Sequence, residues 1–198
     1  IDPAGESTLT QLYADVTGAE VDIAAVERDA KQEVLAGSLR PDLDRLTQAF
    51  AAVTARHPRH RDHTRDDLRG ALVALLRELD VYRTYVRSTG GEQVTDADVL
   101  RLEAAQAGAL VAAGVDAELL GVLVDVLLLR HSGPAEEELA LRFQQVSGPV
   151  MAKAVEDTAF YRHLRLIALN EVGGDPGRFG VAPDEFHTWN LDVASGGR

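Results

Sequence analysis

The chain has no cysteine, one tryptophan, one methionine and only 5% aromatic residues among its 198. Without cysteine there is no disulfide, no thiolate metal site and no cysteine nucleophile, which is compatible with the cytoplasm, the expected location. With so few aromatics the core must come from Leu, Val and Ala, a composition that favours helices. No run of Lys and Arg is present either. The 32 acids against 20 bases leave a formal charge of −12, which repels phosphate backbones and anionic lipid, so neither nucleic acid nor membrane is an expected partner. The longest apolar run, 121–129, is broken by Asp125 and is too short to span a bilayer. Ile1-Asp2-Pro3 opens with no initiator Met and no signal-peptide pattern, and reads as the start of a piece cut from something longer.

Several catalytic signatures are missing as well. Ser147 lacks the Gly-x-Ser-x-Gly elbow of hydrolases. Gly174, Gly177 and Gly180 have the spacing of a dinucleotide loop, but no strand precedes them and Pro176 interrupts. His57, His60 and His63 lack the i, i+4 spacing of zinc helices, and Pro58 and the neighbouring arginines disfavour a cation. A solvated loop is expected there, with no metal and no cofactor.

What the chain does contain is helical periodicity. Leu9, Leu12, Tyr13 and Val16 mark a first helix stopped by Gly18, and Asp22 caps a second carrying Ile23, Val26, Ala30 and Val34 up to Gly37. Leu39, Leu43, Leu46, Phe50 and Val53 give a third, ending near His57-Pro58. Thr64 with Asp67, and Thr95 with Asp98, resemble capping boxes opening two further helices, the second running to about Ala113. The stretch 119–129 is apolar almost all round and should be central. Pro134 suits a helix start with Glu136 to Glu138 in its first turn, and Gly148-Pro149 marks a break. Val81 to Val86, VYRTYV, is the strand candidate, with Tyr82, Thr84 and Val86 on one face and Arg83 and Tyr85 on the other, ended by Ser88-Thr89-Gly90-Gly91. The tail from Ala194 is expected to be mobile.

The densest chemistry lies in 142–176, RFQQVSGPVMAKAVEDTAFYRHLRLIALNEVGGDP. On a helix Lys153 and Asp157, and Asp157 and Tyr161, share a face at i, i+4. Glu156 and Asp157 are then candidates for acid/base work, for holding sugar hydroxyls, or for a structural surface ion pair, and spacing alone leaves these open. A buried Arg83 would need a carboxylate partner, for which Glu156 and Asp157 are available.

This block and VYRTYV resemble segments of maltooligosyltrehalose synthase, an alpha-amylase-like family that converts the reducing-end α-1,4 bond of a maltooligosaccharide into an α,α-1,1 bond. The resemblance extends over essentially the whole chain, from DPAGESTLTQLYADVTG to FHTWN, and between 88 and 137 it is mainly one of helical layout. Ala154 and His163 stand where the family pattern leads one to expect Gly and a further polar or aromatic residue.

The resemblance implies a mainly α, helical inserted domain of a (β/α)8-barrel enzyme with one or two short strands around 81–86. It places the helical region at 1–141 and a segment returning to the catalytic barrel at 142–198. It further implies a retaining intramolecular transglucosylase whose nucleophile and acid/base precede this segment and whose third Asp follows it, so that the chain alone is inactive. Lys153, Glu156, Asp157, Arg83, Tyr161 and Arg162 become substrate-binding candidates, with the maltooligosaccharide and the rest of the barrel as partners. FHTWN would approach the next barrel strand, and apolar surface around Phe160, Leu166 and Ile167 would be left for the barrel to cover. A non-catalytic helical oligosaccharide-binding or protein-interaction domain is the alternative.

Overall fold

The leucine stripes become helices packed face to face in the computed structural model, which describes residues 2–18, 22–87, 93–111 and 114–194. Helices α1 (Glu6–Thr17), α2 (Ile23–Ala36), α3 (Arg40–Thr54), α4 (Arg65–Glu78), α5 (Asp96–Val111), α6 (Ala117–Leu127) and α7 (Pro134–Val150) follow in order. Among the described residues there is no strand. The chain divides into two compact units, one of Glu27–Asp157 and the other of Ile1–Val26 with Thr158–Arg198. The division expected at 141/142 concerns a barrel and is a different boundary from these.

In the larger unit α3 packs on α7 and α4, α4 on α5 and α6, and α6 on α5 and α7. The stripe Leu39, Leu43, Leu46, Phe50 and Val53 is buried, as is α6 through Leu119, Leu120, Leu123, Val124, Val126 and Leu127. The helix starts obey their sequence signals. Thr64 and Asp67 form a reciprocal capping box, and Asp116 accepts from the N–H groups of Glu118 and Leu119 at 2.8 and 2.9 Å. Helix α5 is described as far as Val111, and residues 112–113 lie outside the described set, as do 88–92 and 195–198.

Two expectations fail here for physical reasons. Gly148-Pro149 does not break the chain: Pro149 lies inside α7, which passes directly into a π-helical segment, Met151–Ala159. Proline removes one N–H donor and crowds the carbonyl four residues back, and the winding beyond it loosens to the i→i+5 pattern. The apolar spacing suits that winding. Val150, Ala154, Val155, Ala159 and Phe160 recur every four to five residues, and all are buried. The loop 57–63 is also less solvated than expected, because His60 is buried with its ring stacked on His63 and its Nε2 3.9 Å from Glu118.

The smaller unit contains α1, whose end is closed by Gly18 at a φ of 72° that favours glycine, a short turn α8 (Phe160–Arg162), and α9 (Pro183–Ala194). Arg165 ties it together, donating to Glu6 at 3.3 Å, Thr10 at 3.1 Å and the Pro176 carbonyl at 2.9 Å while lying over the Phe179 ring. FHTWN is part of α9, which buries none of its residues; Phe186, Trp189 and Val193 form an exposed stripe at i, i+3, i+7. Of the apolar residues expected to be left open, Ile167 is 73% exposed and Leu166 is half-buried. Phe160 is buried instead, because the π-helical periodicity turns it inward with Ala159.

A single lysine closes one helix end in the larger unit. Lys31 of α2 is 3% exposed, and its Nζ donates to the carbonyls of Leu79 at 2.7 Å and Arg77 at 3.2 Å, at the C-terminus of α4. Burial lowers its pKa, opposed by Glu27, Glu78 and Asp80. The last carbonyls of a helix have no partner within it, so the ammonium supplies one. Lys31→Met keeps the stem and strands those carbonyls. It is expected to cost about 1–3 kcal/mol, read as a lower urea midpoint with unchanged slope.

Candidate functional site

The site is built from the VYRTYV segment and the helix that α7 becomes. Residues 83–87 form neither helix nor strand; Thr84 and Val86 are buried and Arg83 and Tyr85 exposed, but Tyr82, expected on the face of Thr84 and Val86, is exposed too. The strand expected at 81–86 is nevertheless absent, because helices satisfy its backbone groups. Ser147 Oγ donates to the Tyr82 carbonyl at 2.8 Å and Gln144 Nε2 to the Val86 carbonyl at 3.0 Å, both from α7. From α5, Asp98 accepts the Tyr85 N–H at 2.9 Å. Backbone groups with these partners need no neighbouring strand.

The π-helical segment presents the nominated residues on its outer side. Lys153 and Asp157 are exposed, Glu156 is half-buried, and Ala154, where Gly was expected, is fully buried. Arg83 does not meet a carboxylate. Its guanidinium donates to Gln144 Oε1 and the Thr84 carbonyl, both at 3.3 Å, and lies 5.0 Å from the centroid of the Tyr85 ring. Tyr82 does reach Glu156, its hydroxyl donating to Glu156 Oε1. Loss of water around the phenol, the hydrogen bond and the adjacent negative charge together push its pKa up to about 12. Tyr82 was placed only as a strand residue by the sequence. Its signal was the same alternation, which the absence of a strand reassigns.

Tyr161 and Arg162 belong to the smaller unit, and both are exposed. Their neighbours are more enclosed. His163 is buried edge-on against Tyr13 at 5.1 Å, and its pKa is lowered by burial and then by the Arg165 charge, which keeps the imidazole neutral near pH 7. Tyr13, Asp22, His163 and Arg165 line a cavity of about 680 Å³ in this unit. A second, of about 870 Å³, is lined in the larger unit by residues including Arg28, Asp66, Arg69, Arg77 and Glu78. None of the six nominated residues lines either cavity; in the larger unit Arg83, Lys153, Glu156 and Asp157 offer donors and acceptors that suit hydroxyl groups. Among the described residues no group of three or more His, Asp or Glu is arranged to hold a metal, and no helix is long and apolar enough to cross a membrane.

No protein-family model matches the chain. A Mycobacterium tuberculosis protein named as a maltooligosyl trehalose synthase is 36% identical over 191 residues, covering 94% of this chain and 22% of that protein. The structure of a variant maltooligosyltrehalose synthase from Arthrobacter ramosus superposes with a TM-score of 0.77 at 34% identity, covering 98% of this chain and 22% of that one. A protein from Sulfolobus tokodaii described as a hypothetical maltooligosyl trehalose synthase shares the fold, at 21% identity and a TM-score of 0.63, over 95% of this chain and 21% of that one. The chain thus spans about one fifth of the length of these relatives, and along that fifth the resemblance read from VYRTYV and the signature block holds.

Asp98 is the support on which the extended half of the site can be tested. Burial opposes its ionisation, but hydrogen bonds from the Tyr85 N–H, the Thr95 hydroxyl and the Thr95 N–H outweigh burial and hold it below its ordinary 3.8. A carboxyl more acidic when folded contributes stability that is complete above about pH 4 and is lost as the pH falls through the folded value. Asp98→Asn is expected to lower stability at pH 7 by about 1–3 kcal/mol and to flatten the fall below pH 4, read by urea melts across pH 2–7.

Proposed function

We propose, of a chain related along nearly its whole length to the maltooligosyltrehalose synthases, that it is a non-catalytic helical section of such an enzyme and helps to form its substrate pocket. The reaction would move the reducing-end glucosyl unit of a maltooligosaccharide from an α-1,4 to an α,α-1,1 bond. The observation that carries this reading is the 36% identity over 191 residues, a stretch broad enough to include both VYRTYV and the signature block.

In that reading the nucleophile and acid/base belong to a barrel of the alpha-amylase type, outside these 198 residues. The released glucose must be held and turned so that its anomeric hydroxyl, rather than water, attacks the glucosyl-enzyme. Lys153 donates to sugar hydroxyls, Glu156 and Asp157 accept from them, and Arg83, Tyr161 and Arg162 supply further hydrogen-bonding groups. Isomerisation then depends on positioning, with these residues supplying no bond-making group. The exposed stripe Phe186, Trp189 and Val193, together with Ile167, supports burial against the rest of the enzyme, which in the cytoplasm would be the chain's principal partner.

Two experiments test this. The purified chain incubated with maltopentaose should give no trehalose-ended product, and turnover above a blank would sink the non-catalytic reading. A chimaera carrying this chain in place of the matched segment of the Mycobacterium tuberculosis relative should convert maltopentaose. In that chimaera Lys153→Ala and Glu156→Gln should each lower kcat/KM for transfer about tenfold to a hundredfold and raise the share of glucose released. Normal kinetics with only a lower melting temperature would make both residues structural.

A further inference from the structure

Tyr82 is held through both its backbone and its side chain. Its backbone carbonyl accepts from Ser147 Oγ at 2.8 Å, on α7, and its hydroxyl donates to Glu156, on the π-helical continuation of α7. A hydrogen bond to its carboxylate restricts the three rotatable bonds of a glutamate side chain. Gly148 lies at the same crossing, where an added Cβ would sit 3.9 Å from the Tyr82 carbonyl, an ordinary contact. The phenol also stays protonated, and so remains a donor, well above neutral pH.

We infer that Tyr82 is a positioning residue: its hydroxyl orients the Glu156 carboxylate toward a bound glucosyl unit, an assignment that rests on the sugar-binding role proposed for Glu156. Tyr82 as a whole is 43% exposed, so it remains accessible beside the carboxylate it orients. Tyr82 thereby acts on the sugar through Glu156, and the phenol takes no part in making or breaking the glycosidic bond.

The test is a double-mutant cycle of Tyr82→Phe and Glu156→Gln, run twice. In the chimaera, Tyr82→Phe is expected to lower kcat/KM for trehalose-ended product about tenfold and to raise the share of glucose released. In the Glu156→Gln background it should cost nothing more, because the partner it positions is already lost. If Glu156→Gln is harmful and Tyr82→Phe is neutral, or if the two effects multiply, the positioning role is overturned while the sugar-binding role of Glu156 stands. If Glu156→Gln is itself neutral, both fall. The second cycle is thermal melting of this chain alone, which needs no activity. Each single variant should lower the melting temperature, with the double variant no worse than the larger single effect. Fully additive losses there would show that hydroxyl and carboxylate are uncoupled, and would overturn the inference whatever the chimaera does.

Discussion

A segment with neither helical nor strand partners carries a row of N–H and C=O groups that must be paired or left in water, and the arrangement of the larger unit's site follows from how VYRTYV meets that demand. Asp98, Gln144 and Ser147 take the place of a second strand, each reaching the segment from a helix. Together they pair the Tyr82 and Val86 carbonyls and the Tyr85 N–H. Thr84 and Val86 are buried between these bonds, and Tyr82, Arg83 and Tyr85 stay exposed. The outward side chains thus accompany a backbone that two helices pair.

The other half of the site depends on a change of helical winding. After Pro149 the chain takes up an i→i+5 pattern, and the buried positions Val150, Ala154, Val155, Ala159 and Phe160 keep step with it. An α-helix with the same residues would rotate the apolar pairs away from the core and bring Lys153, Glu156 and Asp157 round by different angles. The π-winding therefore reconciles an apolar stripe with a polar one in a stretch where α-helical geometry would satisfy neither. It also sets Glu156 within reach of the Tyr82 hydroxyl.

Much of this was legible in the residues. The Leu stripe of α3, the apolar α6, the Thr64–Asp67 and Thr95–Asp98 boxes and the start at Pro134 follow from local chemistry, and the structure keeps them, whereas α1 leaves Leu12 and Val16 exposed. The alternating burial of 83–86 was legible too, since Val, Tyr and Thr favour an extended backbone. Pairing was not, because propensity reports conformation and says nothing of which group will accept the N–H. The same gap hid the partner of Glu156: charge complementarity suggested Arg83, whereas the backbone path delivers Tyr82 and sends Arg83 to Gln144. Gly148-Pro149 misled for a related reason. Proline forbids one hydrogen bond, and a helix that rewinds can do without it.

Charge adds a further constraint that no local pattern reveals. In a chain with 32 acids and 20 bases, cations are the scarcer group, and two of them donate to backbone carbonyls. Lys31 does so at the end of α4, and Arg165 does so for Pro176 while also binding Glu6 and Thr10. Neither position is marked in the sequence, since a lone Lys on an amphipathic helix and an Arg among leucines both read as solvated. The surrounding acids make the difference. Around Lys31 the charges of Glu27, Glu78 and Asp80 favour the ammonium that burial disfavours, so the acidic excess offsets part of the cost of enclosing the cation. Salt screens such distant partners more than the short bonds to carbonyls, and the anchoring contacts therefore depend on geometry first and on the acidic field second.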